Sequence, residues 1–328
     1  MDFDLSADQR ALRAAAAELL GTAASSERVR AALGSPAGYD EALWRAMAEQ
    51  GWTALEVAAE DGGLGLGFVE VCVLAEQVGR HVAPAPFVST VLARDVLRGD
   101  PEWADRLAAG EAIGAVGWRE GAVIDGPSAD VVVVGGSKGI VRAAEVRRQP
   151  AMDQTRSVGL VAARGAEVGD PAAAQRLLDR GATAYAAEIL GASERMLEVS
   201  VDYAKVREQF GRPIGSFQAV KHRCADMLVD VEGMRSAIYY AAWAISASAP
   251  DASLAASTAK AWCSEAGPRV LASALQVHGG IGFTWEHDLH LYLKRVQLDA
   301  VVFGDAAYHR ERIAGRLRDR LATGAGVF

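Results

Sequence analysis

Apolar residues recur at a helical period through most of the chain and give way to short β-branched runs only between about residues 110 and 170. In the first hundred residues Leu12, Ala15, Ala16 and Leu19 form one stripe, and Ser6 stands three residues before Gln9, the spacing of a capping box. Asp40 is placed to cap a helix whose buried face is Leu43, Ala46 and Met47, and Gly51 sits where a left-handed terminating residue is wanted. A third helix carries Val71, Leu74 and Val78. The glycine-rich stretch 60–67 superficially resembles a phosphate loop, but no strand precedes it, so it reads as a tight interhelical turn.

The runs 113–118, 122–124, 131–134 and 158–161 predict short strands of a small β unit, with a turn at 135–139. Beyond it the chain is helical again. Phe217, Val220, Cys224, Met227, Val231, Met234, Ile238, Ala241 and Ile245 alternate spacings of three and four, which predicts a long helix with one face buried along its whole length. The preceding helix aligns Ile189, Met196 and Tyr203 beside Leu190, Leu197 and Ala204. With a short turn between them, the two form an antiparallel hairpin, half of a four-helix bundle. A third helix spans about 252–277 with Pro268 predicting a kink, and a last one, capped by Asp305, presents Ile313, Leu317 and Leu321.

A length of 328 residues allows two or three packed units. The formal charge of -8, with no run of Lys or Arg, argues against nucleic-acid and anionic-membrane partners. No apolar run approaches the roughly 20 residues that span a bilayer, and the acidic N-terminus does not resemble a secretory signal. The expected location is cytoplasmic. Cys72, Cys224 and Cys263 are few, scattered and set in apolar patterns, so they read as buried free thiols.

Candidate chemistry is sparse. Glu286, His287 and His290 lie close together, yet no second cluster completes a metal site, and they read as surface or interface residues. No nucleophile elbow is present. The densest polar segment runs from 203 to 218, where cations end a helix and Pro and Gly enforce a turn. An Arg fork and a Gln amide on such a corner can grip a phosphate or carboxylate, or merely satisfy the helix dipole.

These residues carry a resemblance. The stretch 203–226, Y-x-x-x-R-x-Q-F-G-x-P-I-x-x-F-Q-x-x-x-H-x-x-A-D, resembles a signature of the acyl-CoA dehydrogenases, and 276–283, Q-V-H-G-G-I-G-F, resembles their second one. Residues 61–80, with the glycine-rich turn, Glu70 and Val78-Gly79-Arg80, are similar to their N-terminal domain. The resemblance implies a mainly α fold: an N-terminal helical domain (1–108), a truncated middle β domain (109–172) and a C-terminal four-helix bundle (173–328). It also implies removal of hydrogens from the α and β carbons of an acyl-CoA, a carboxylate taking the proton and FAD the hydride. The family's contacts to the adenosine diphosphate part of a neighbouring subunit's FAD fall on Arg207, Gln209, Phe210, Gln276, His278, Gly279 and Gly280.

The departures are as informative. Counting from the second signature brings the family's usual catalytic Glu to Phe303, and its alternative location falls near Gly181, so the resemblance assigns no catalytic residue here. The Arg often placed near CoA falls at Ala182, beside Arg180, and Trp118-Arg119-Glu120-Gly121 stands near the flavin-contact segment without matching it. This pattern resembles the short, catalytically incomplete subunits of heteromeric (αβ)₂ enzymes, including those of steroid side-chain oxidation. It implies a longer catalytic partner that holds most of the acyl-CoA site and shares its FAD with this chain. Two alternatives are a self-sufficient enzyme with Asp179, Glu188 or Asp305 as base, and a scaffold subunit without flavin contact.

Overall fold

The computed structural model describes residues 4–322; residues 1–3 and 323–328, the outer ends of the first and last expected domains, lie outside the described residues. The opening helices are α1 (Ala7–Ala23), α2 (Ser26–Ala32), α3 (Glu41–Glu49), α4 (Phe68–Arg80), α5 (Phe87–Val96) and α6 (Ala104–Ala108). Ser6 and Gln9 form the reciprocal capping box, and Gln9 reaches on to Glu70 (2.8 Å), whose other oxygen accepts from Gly67 N–H at the start of α4. Asp40 caps α3 through Leu43 N–H, and Gly51 ends it at φ +76°. The buried line of α1 is Ala16, Leu20 and Ala23, while Ala15 is exposed. Its run of alanines offers several equivalent stripes, and packing on α4, not the local pattern, selects one.

The β unit comprises β1 (Gly114–Trp118), β2 (Gly121–Ile124), β3 (Val131–Gly136), β4 (Gly139–Ala143), β5 (Val146–Gln149), β6 (Val158–Val161) and β7 (Gly165–Gly169). One sheet has the order β1-β3-β4-β7, with β1 and β3 parallel and the rest antiparallel; the other is an antiparallel β2-β6-β5. Period-2 alternation explains the four valines that open β3: Val132 and Val134 face a small core with Ala115, Val123 and Val161, while Val131 and Val133 join the main core shared with the helices.

Asp170 accepts from Ala173 N–H (2.7 Å) and Pro171 occupies the first turn, launching α7 (Pro171–Val206), 36 residues long. It is followed by β8 (Glu208–Gln209), β9 (Arg212–Pro213), α8 (Gln218–Ser246), α9 (Ala252–His278), α10 (Leu289–Asp299) and α11 (Ala306–Ala322). Helices α7, α8, α9 and α11 correspond to the expected bundle, and α10, which the pattern did not announce, packs on α7 and α9. Helix α4 crosses α7 without side chains between them: a Cβ added at Gly79 would strike the Glu188 backbone, and one at Gly191 would strike the Glu76 carbonyl. Only glycine permits that approach.

Three expectations are corrected. Along α8 burial is complete only from Met227 to Ala244; Phe217, Val220 and Cys224 are half-buried, because its first turns project to an open corner of the molecule. Cys224 is accordingly half-buried, while Cys72 and Cys263 are buried and all three are free. In α11, Ile313 and Leu317 are half-buried and Leu321 is 60% exposed, since the helix is anchored instead at its start, by Ala306 and His309, and by Arg312.

Candidate functional site

The two signature segments meet at that open corner. Where α7 ends, β8 and β9 pair Glu208 with Pro213 and Gln209 with Arg212 across a two-residue turn of Phe210 and Gly211 at φ +55° and +75°. Positive φ at both positions suits a hairpin turn of the I′ type, but it is unusual for a phenylalanine. Phe210 is 91% exposed and its ring meets Phe217 edge on at 6.1 Å; Arg212 lies over the Phe217 ring at 4.2 Å. The Arg207 guanidinium is exposed and has no partner among the described residues, and Gln209 donates only to the adjacent Glu208 carbonyl.

Helix α9 delivers the second segment. Gly279 leaves the helix at φ +60° and ψ −137°, followed by a 3-10 turn over Gly279–Phe283; Gln276 and Gly280 are exposed, with open space where a Gly280 side chain would be. His278 differs from the other expected contacts in being buried. Its Nδ1–H donates to Ala274 O (2.8 Å), its ring stacks on Tyr203 at 4.7 Å, and His287 lies against it at 4.7 Å. The Tyr203–His278 stack therefore ties the hairpin corner to the glycine turn. Ile281, Phe283 and Trp285 beside it are 45, 74 and 61% exposed. Trp285 packs on His290, and no group of three or more metal-ligating side chains occurs among the described residues.

A different arrangement holds Gly181 and Phe303, the two positions at which a carboxylate is expected. They are far apart in sequence and in direct contact: a Cβ added at Gly181 would overlap the Phe303 ring. That ring also stacks on buried Tyr185 at 5.6 Å, and Phe303 takes φ +56° with its carbonyl 2.9 Å from His309 Nε2. Burial pushes the His309 imidazole down to about 4, so it is neutral near pH 7, and the hydrogen bond to a carbonyl fixes its proton on Nε2.

The three alternative bases are engaged elsewhere. Asp179 accepts from Arg312 and from Ser253 Oγ, each at 2.5 Å. Asp305 caps α11 through Tyr308 N–H (2.8 Å). Glu188 lies in a buried ionic cluster that the sequence did not disclose: Arg156 pairs with Glu188 and, at 2.6 Å, with Asp299; Arg295 donates to Asp153 (2.9 Å) and to Thr155 Oγ1 (2.5 Å), and Lys260 to the Asp299 carbonyl. Burial raises the Asp299 carboxyl above its ordinary value and lowers Lys260 to about 8. The one local signal was Asp153, whose carboxylate accepts from Thr155 N–H two residues on, an Asx turn. Arg180 pairs with Glu56 and Asp95 and lies over Phe68, so its charge is spent within the fold. Trp118, Arg119 and Glu120 line a cleft of about 890 Å³ between the β unit and the helices, with Arg119 over the Tyr308 ring.

Known proteins share this architecture and these segments. Residues 6–100 match the acyl-CoA dehydrogenase N-terminal domain and residues 171–318 the acyl-CoA dehydrogenase C-terminal domain. Acyl-CoA dehydrogenase IpdE2 of Mycobacterium tuberculosis is 40% identical over 297 residues, covering 88% of this chain and 90% of its own length. The chain belongs to the acyl-CoA dehydrogenase family. IpdE2 of Mycolicibacterium smegmatis is 38% identical over 92% of this chain and 96% of its own. Among solved structures, the ChsE4-ChsE5 complex from Mycobacterium tuberculosis aligns with a TM-score of 0.86 at 27% identity, over 97% of this chain and 99% of that one. The Tcur3481-Tcur3483 steroid ACAD aligns with the same TM-score at 29% identity, over 96% and 99%. An acyl-CoA dehydrogenase is a flavoprotein oxidoreductase acting on a CH–CH bond of an acyl-CoA, and a flavin cofactor is indicated for this one. No helix among the described residues is long and apolar enough to cross a membrane.

Proposed function

We propose that this chain is the short subunit of a heteromeric (αβ)₂ acyl-CoA dehydrogenase acting on a steroid side-chain CoA thioester, and that it completes the FAD site of a longer catalytic chain. The observation that carries the reading is the contrast between two places. At Phe303, where proton abstraction needs a carboxylate, a ring packed on Gly181 and Tyr185 closes the position. At the open corner, Arg207 and Phe210 are presented outward with their binding capacity unspent.

The donor set fits the adenosine diphosphate part of FAD. A guanidinium without an internal partner matches pyrophosphate oxygens, an exposed ring matches the adenine face, and Gly279 and Gly280 admit close backbone approach. Gln209 and Gln276 supply amides, and buried His278 holds the glycine turn in place. A flavin held by these residues would supply the hydride acceptor for the β carbon, and the α proton would need a base from the partner, since Phe303 and Gly181 offer none. In this chain Glu188, Asp179 and Asp305 already serve ion pairs and a cap, which disfavours a self-sufficient enzyme. The relatives named as steroid ACAD and as a two-protein complex support the substrate class and the assembly.

The test is flavin absorbance per mole of chain, for the protein alone and co-expressed with longer acyl-CoA dehydrogenase chains. The expected result is a colourless lone chain and a complex with about one FAD per pair of unlike chains, from which Arg207→Ala releases flavin. A yellow homo-oligomer with one FAD per chain that oxidises an acyl-CoA overturns it.

A further inference from the structure

The segment that carries the second half of the flavin corner has little structure of its own. After Gly279–Phe283 it has no regular element until α10 begins at Leu289; Phe283 is largely exposed, and Trp285, also exposed, covers only His290 and Lys294 of α10 among the ring and cation contacts of the described residues. Its position has to be imposed from outside, and two anchors do so. One is the ring stack of Tyr203, His278 and His287. The other comes from the opposite end of the chain. Arg30 of α2 donates from Nε (2.9 Å) and Nη2 (2.5 Å) to Asp288 Oδ1 and from Nη1 (2.6 Å) to the Trp285 carbonyl, so all three of its nitrogens grip this one turn. A guanidinium holds its donors in a fixed plane, so three bonds to one turn fix its orientation as well as its distance.

We propose that Arg30 is a positioning residue of the flavin half-site: from the N-terminal helices it holds the 279–288 segment so that Gly279, Gly280 and Gln276 meet the adenosine diphosphate part of FAD. This inference rests on the half-site reading. Arg30 itself does not touch the flavin. Its loss removes the anchor that comes from the N-terminal helices, leaving the ring stack and the packing of Trp285 on His290 and Lys294, and part of the ordering that Arg30 supplied in advance then falls on binding.

The test uses the complex with its longer subunit, stripped of flavin and titrated with FAD and with FMN, which lacks the adenosine. Arg30→Ala should weaken FAD about tenfold, as expected for losing charge-assisted hydrogen bonds at a half-exposed site, and leave FMN unchanged. Asp288→Ala should act in the same direction, and the double variant should be no worse than Arg30→Ala alone, because both remove the same contact. Unchanged FAD binding in Arg30→Ala, with Arg207→Ala weakened, overturns the role of Arg30 alone. Unchanged binding in both overturns the half-site reading with it. Equal loss of FAD and FMN, or dissociation of the subunits, also overturns the inference, since Arg30 then supports the fold at large. Should Arg30→Ala fail to fold, Asp288→Ala carries the same comparison from the other side of the contact.

Discussion

Replacing Arg156 by methionine removes the hub of the buried ionic cluster at nearly constant volume. In the native chain its guanidinium neutralises Glu188 and Asp299, all three being 3% exposed or less at the side chain. Once it is gone, two interior carboxylates face only Arg295, 3.7 Å from Glu188, and Lys260, which bonds the Asp299 carbonyl. Breaking a buried pair from one side costs about 3–5 kcal/mol. For a chain of 328 residues that corresponds to a Tm lower by roughly 4–7 °C. The sign with pH follows from the same geometry. Burial already holds the native Asp299 carboxyl above its ordinary value while Arg156 pulls it back down; without Arg156 it rises further, so the folded variant binds more protons than the unfolded chain. Its stability then falls as pH rises through that range, and the deficit against wild type should be larger at pH 7 than at pH 5. Lys260, held at about 8, stays charged across that window. Denaturant titration of both proteins at the two pH values reads the effect, and Arg156→Met combined with Glu188→Gln should recover part of it. A loss below about 1 kcal/mol, or a deficit that shrinks between pH 5 and pH 7, would refute the reasoning.

Gly79→Ala should lower Tm more than an ordinary helix glycine-to-alanine change raises it, because the methyl group meets the Glu188 backbone; an equal or higher Tm in a thermal melt would mean that α4 and α7 can part cheaply. Phe303→Glu alone should give no acyl-CoA-dependent dye reduction in the isolated chain, since the carboxylate would be wedged between Gly181 and Tyr185 with no flavin to receive hydride; measurable turnover counts against the closed-site reading. Phe210→Ala should leave the denaturation midpoint of the isolated chain within about 0.5 kcal/mol, given its 91% exposure, while lowering FAD retained by the complex on gel filtration. Retention equal to wild type would remove the ring from the half-site.

Elements that satisfy themselves locally were legible in the sequence. Ser6 with Gln9, Asp40 with Leu43 and Gly51 are caps complete within a few residues, and α7 and α8 announce themselves by length and period. Strands β4, β5 and β7 were not legible: β5 is Val-Arg-Arg-Gln on a sheet edge with both arginines exposed, and β7 is mostly exposed. Helix α10 hid for a physical reason, because it buries Arg295 and Asp299 where the pattern expects apolar residues. The signatures located the exposed corner where α7 ends and α9 turns, which is proposed to hold flavin, and among the residues they name there His278 is buried. Arg30 and the Arg156 cluster depend on partners more than a hundred residues away, or on several elements at once, which no local spacing encodes.

The unbroken course of α7 has a further consequence. Gly181, where Phe303 closes one site, and Arg207, just past the helix end, are joined by one rigid rod and stand about 39 Å apart along its axis. Each residue added to or removed from that stretch swings the hairpin corner by about 100° around the axis, besides moving it by about 1.5 Å. Length is therefore fixed there to the residue. Steps of seven or eleven residues nearly restore the facing of Arg207 but slide it by roughly 10–16 Å, and a single insertion turns it aside. Either way Tyr203 leaves His278, and the stack that ties α7 to the glycine turn of α9 is lost.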